Sequence, residues 1–141
     1  MRTLLIAFVA LLLTRTAPAQ GADEAALRTA TACLADTLGL TPAWHIAVTV
    51  VNDSTARYYG LAEANPFSHN ADITYNLAMI RAHAQPLRDI ALHEVLHVVL
   101  SDLAQMARVS FDERIASYES ERTVRALVRW PVWRDLCVPR R

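Results

Sequence analysis

The chain is 141 residues long, a length that suits one domain around one core. Its basic side chains are all arginine, 14 of them against 14 acidic residues, so no global charge directs it to nucleic acid. It has no internal repeat, Gly-rich phosphate loop or low-complexity segment, which excludes repeat arrays and phosphate-loop enzymes.

Residues 1–19 read as an export signal. Arg2 supplies the positive start, Leu4 to Leu13 form an unbroken apolar run, and Ala17-Pro18-Ala19 places small residues at a cleavage site after Ala19. The run is shorter than the roughly 20 residues that span a bilayer, so no stable membrane anchor is expected after cleavage. Gln20 and Gly21 come next, with no cysteine to carry a lipid. The product, residues 20–141, is expected to be secreted or periplasmic. Without Arg2 and Arg15 it keeps twelve arginines against fourteen acidic residues.

Residues 23–38 predict a helix rich in Ala and Leu, with Asp23 and Glu24 at its positive end and Gly39 as its stop. Trp44 to Val51 alternates apolar and polar residues as a strand does. Asn52-Asp53-Ser54 predicts a turn, and residues 57–62 a weaker second strand. Asn65-Pro66 breaks the chain before a third strand over 72–80. Pro86 opens a helix expected to run to about Met106, apolar on most sides and therefore central. A last helix over 110–129 is capped by Ser110 or Asp112 and ended by Pro131. The fold class is α+β: an N-terminal helix, a small three-stranded sheet, a buried helix and a C-terminal helix.

Two cysteines, Cys33 and Cys137, remain in the exported part. An even count in such a chain predicts one disulfide between the first helix and the C-terminal tail. The alternative, a pair of metal ligands, lacks the close spacing of zinc cysteines. The final residues are locally basic, with Arg122, Arg125, Arg129, Arg134, Arg140 and Arg141. They read as a solvated helix face, the other reading being a site for an acidic partner.

The segment His93-Glu94-Val95-Leu96-His97 carries the chemistry. Histidines four apart on a helix lie one turn above each other, so both imidazoles reach a single ion. Glu94, one step round, is placed as general base on an attacking water. This is the HExxH pattern of zinc hydrolases. The competing reading is a core helix that carries two histidines by chance. Three polar groups in a buried helix would cost about 1–3 kcal/mol each without partners, which favours an ion.

Such a site wants a third protein ligand. A third histidine six residues on is ruled out, because Leu103 stands there. Glu119 and Glu121 of the last helix remain, about 200° apart around it. Val124, Leu127 and Val128 mark the inner face, and Glu121 lies at its edge. Tyr118, one turn before Glu121, is the first candidate for an oxyanion donor, followed by Tyr58, Tyr59 and His69. His45 and His83 read as solvent-facing.

HEVLH with a downstream Glu resembles the gluzincin branch of the zincin metallopeptidases, in a minimal single-domain form. The resemblance covers residues 44–129, and HEVLH is its one specific match. It implies a zincin-like fold, with His93, His97 and Glu121 on one Zn2+ and Glu94 as base. It also implies an edge strand that lines the cleft and pairs with an extended peptide or protein substrate. Larger members often carry an Asp four residues after the third ligand, where this chain has Arg125, and a second domain that is missing here. The activity implied is hydrolysis of peptide bonds. The alternative is a zinc-binding or inactive module that holds a partner without catalysis.

Overall fold

A computed structural model describes residues 17–133 and 136–137. Residues 1–16 of the expected export segment lie outside the described residues. Helix α1 (Ala17–Thr37) buries Leu27, Thr31, Leu34 and Ala35 along one face, the spacing of a helix that packs by a stripe. Gly39 ends it at φ 76°, a conformation that favours glycine. Leu40 N–H donates to Ala35 O and Gly39 N–H to Asp36 O, the paired bonds of a Schellman stop.

Strands β1 (His45–Val51), β2 (Gly60–Asn65) and β3 (Asn70–Asn76) form one sheet in the order β1-β3-β2. β1 runs parallel to β3, with Val48 opposite Ile73, and β2 runs antiparallel, with Ala62 opposite Ile73. β2 is thus an edge strand although it lies between the other two in sequence. Buried Asn76 fixes the turn after β1: its amide donates to Asp53 O at 2.7 Å, and its Oδ1 accepts from Asp53 N at 3.1 Å.

The third strand stops at Asn76, short of the expected Ile80. Leu77–Ala82 is a short helix, α2, which buries Leu77 and Ile80 three residues apart on one face. Unbranched Leu, Ala and Met in that stretch favour this outcome once alternation has lapsed.

Helix α3 (Leu87–Val99) follows Pro86 and is the central element, packed against α1, β2 and the last helix. The single helix expected to reach Met106 is instead two. Leu100 leaves helical geometry at φ −91° and ψ 4°, and α4 (Ser101–Ser110) departs at 56° to α3. No Gly or Pro announces this break. It separates a buried helix from a surface one: Leu103, expected in the core, is 64% exposed.

Helix α5 (Glu113–Val128) starts at Asp112, whose carboxylate accepts from Arg114 N at 2.9 Å. It buries Ala116 and Val124, while Leu127 and Val128 pack at the core's margin. A 3-10 turn over Pro131–Trp133 returns the chain toward α1. There Cys137 is joined to Cys33, Cα atoms 5.8 Å apart, closing 104 residues of sequence.

Candidate metal centre

Pro86 starts α3 in a phase that turns Ala91, Leu92, Val95 and Val98 into the core. His93 and His97 then fall together on the margin of that buried face, pointing toward α5. The four-residue offset stacks them, and their Nε2 atoms stand 3.2 Å apart. Asp112 sets the start of α5, and burial of Val124 sets its rotation. Glu121, three residues before Val124, faces the imidazoles: Oε1 lies 3.0 Å from His97 Nε2, and Oε2 3.6 Å from His93 Nε2.

These separations have a chemical meaning. Two ligand atoms about 2.0–2.1 Å from one tetrahedral ion stand roughly 3.3 Å from each other. The three distances bracket that value. His93, His97 and Glu121 thus form a group whose ligand atoms all fit around one ion. Glu119 points elsewhere, exposed and paired with Arg122.

Burial holds the protonation of both imidazoles below the usual histidine range, and for His93 the neighbouring His97 adds to it. Neutral imidazole is the form that binds metal, so desolvation prepares the ligands. Glu94 responds oppositely. At 4% exposure it is the most deeply buried acid of the site, and burial, with the charge of Glu121 behind it, pushes its pKa up to about 8. A carboxyl poised near neutrality suits a group that must accept and return a proton.

A cavity of about 630 Å³ opens over these residues. His93, Glu94 and His97 form its floor, residues 57–62 one wall, and α5 with the end of α4 the other. Gly60 is its least obvious member. A Cβ built there would stand 2.7 Å from Glu94 Cγ and Cδ, closer than such atoms approach. The absence of a side chain lets β2 pass directly over the carboxylate. The sequence reading missed Gly60, although a glycine inside a strand pattern is a signal of close approach.

The expected oxyanion donor is not brought to this cavity. Tyr118 is 67% exposed and lines a neighbouring depression along α5, which it shares with Glu121. Tyr58 and Tyr59, ranked behind it, are in the cavity wall. His69 packs on Trp44, centroids 5.3 Å apart, and is not among the lining residues. His45 and His83 are exposed, as the sequence suggests. Arg57 and Arg108, which sequence alone gave no reason to single out, also line the cavity. Compared with protein-family models, characterised proteins and solved structures, the chain matches none.

Proposed function

We propose that the chain is an exported zinc-dependent peptidase, a minimal zincin of the gluzincin type. The observation that carries this reading is the spacing of three ligand atoms from two helices, with Glu94 beside them on the cavity floor. His93, His97 and Glu121 would hold the zinc, which would supply a Lewis acid for the scissile carbonyl and lower the pKa of water toward about 7.

The chain's own groups do the rest. Glu94 takes the proton of the attacking water and hands it to the departing amine. Its burial keeps the carboxylate from bulk water. β2, at the sheet edge, offers backbone groups to an extended peptide laid along the cavity. Tyr58 and Tyr59 are the phenols on the cavity wall and serve as donors to the developing oxyanion. The Cys33–Cys137 bond suits an oxidising compartment outside the cytoplasm.

The test joins metal content with cleavage of a peptide library by the wild type and Glu94→Gln. We expect one zinc per chain in both, and turnover lower by about 10²–10⁴-fold in the variant. Normal turnover by Glu94→Gln removes the assigned base. Zinc uptake without cleavage of any peptide makes the chain a binding module, and no uptake at all refutes the metal site.

A further inference from the structure

The cavity over Glu94 does not end at Glu121. A second depression of about 820 Å³ continues along α5 and shares Arg108, Ser117, Glu121 and Arg125 with the first. Together they are lined by six arginines: Arg57, Arg108, Arg114, Arg122, Arg125 and Arg129. The acids in the same walls are Glu94, Glu113 and Glu121. Glu94 is buried on the floor, and Glu121 reaches only Arg125 among these arginines, so arginines outnumber acids along the cleft.

The arginines differ in how far they are committed. Arg125 pairs with Glu121 at 3.3 Å, Arg122 with Glu119 at 3.4 Å and Arg114 with Asp112 at 3.5 Å. Arg57, Arg108 and Arg129 make no ion pair among the described residues. Arg57 stands just before β2, and Arg108 at the end of α4 lines both depressions. Uncommitted cations thus occupy both walls of the cleft.

We propose that the cleft selects anionic peptides, with Arg57 and Arg108 engaging acidic side chains on either side of the scissile bond. This rests on the peptidase reading above and adds a substrate class to it. One exposed arginine–carboxylate contact is weak, but several cations in a concave site focus the field on one ligand. A preference of roughly tenfold over a neutral peptide follows. An edge strand as one wall favours a peptide over a nucleic acid, because its free backbone groups match another extended backbone.

The experiment uses the full exported chain carrying Glu94→Gln, loaded with zinc so that peptides are held and not cleaved. Three fluorescent ten-residue peptides differ only in carrying Glu, Gln or Lys at four positions, and anisotropy gives their affinities. We expect the Glu peptide to bind at least tenfold tighter than the Gln peptide, with the Lys peptide weakest. Raising salt to 0.5 M should shrink the difference. Arg57→Gln with Arg108→Gln should bring it below threefold while melting temperature and zinc content stay unchanged.

Equal binding of the three peptides, no binding of any, or a preference that survives the double variant overturns the proposal. So does a single-stranded oligonucleotide of equal charge that binds more tightly than the Glu peptide. Failure of the underlying reading looks different. A wild type that takes up no zinc or cleaves nothing sinks the peptidase, while the charge ranking still decides the preference of the cleft. A wild type that cleaves acidic and neutral peptides alike sinks the preference alone.

Discussion

The two helices that bring the candidate ligands together are held in unlike ways. α3 buries six of its 13 residues and lies against α1, β2 and α5. α5 buries two of its 16 and meets the core through one short stripe. The histidine pair is therefore fixed by the same contacts that fix the fold, whereas Glu121 sits on a helix with little else to hold it. Regions with few buried apolar contacts open at low cost. Two of the candidate ligands come with the core, and the third with a helix that buries far less. Under the proposed function, a bound ion would give α5 the restraint that packing gives α3.

The sharpest way to break that comparison is Glu121→Ala against Glu119→Ala. The first should weaken zinc binding by more than the roughly 10–100-fold that losing an outer partner costs. The second should change it little, and a metal-buffered titration compares them directly. Equal, small effects would mean that α5 contributes no ligand.

Reduction of Cys33–Cys137 probes how the loosely held side is kept in place. Closing a loop of 104 residues contributes at most about 4–5 kcal/mol by chain entropy, often less. Melting should fall by about 10 °C in reductant, with the zinc retained in the folded fraction. Zinc loss before any fall in melting temperature would show that the bond holds α5 on the core.

The pH dependence of the metal-free chain probes the core side. Glu94 binds its proton more tightly folded, near 8, than unfolded, near 4.5, so its contribution falls as pH rises through that window. The histidines act oppositely: their folded values lie below 6.5, and their contribution is lost as pH drops below it. Glu94→Gln removes the first slope alone. Its advantage over wild type in denaturant melts should grow from pH 5 to 8 by up to a few kcal/mol. A difference independent of pH would place Glu94 in water.

Gly60→Ala is the smallest change and tests where sheet and core meet. The added methyl must displace Glu94 or β2, at about 1–3 kcal/mol. Turnover should drop with zinc affinity kept, since neither histidine is touched. Wild-type stability and turnover together would show that the strand yields without cost.

What could be read beforehand follows from how local each cause is. His93, Glu94 and His97 were legible because four residues make a helical turn wherever the helix lies. Glu121 could be chosen over Glu119 because Val124 and Val128 mark the inner face of one helix. Gly39 was legible as a stop because a left-handed residue ends a helix by itself. The break at Leu100 was not, since it has no punctuating residue. Alternation overran into Leu77–Ile80 because a strand end set by the Asn76–Asp53 bonds leaves no mark in periodicity. Proximity in sequence to Glu121 singles out Tyr118, but its side chain lines the neighbouring depression along α5 and not the cavity over the histidines. Gly60 needed the one fact no pattern supplies, which strand crosses which side chain.

The disulfide also fixes an order of events during synthesis. Cys137 follows every helix and strand described, so its thiol becomes available only after the last of them has been made. Chains emerge from the N-terminus at about 5–20 residues per second, so Cys33 waits several seconds unpaired. Whatever α1, the sheet and α3 build in that interval rests on noncovalent contacts alone. A chain interrupted before Cys137 would carry a free thiol on α1 as the mark of incomplete manufacture.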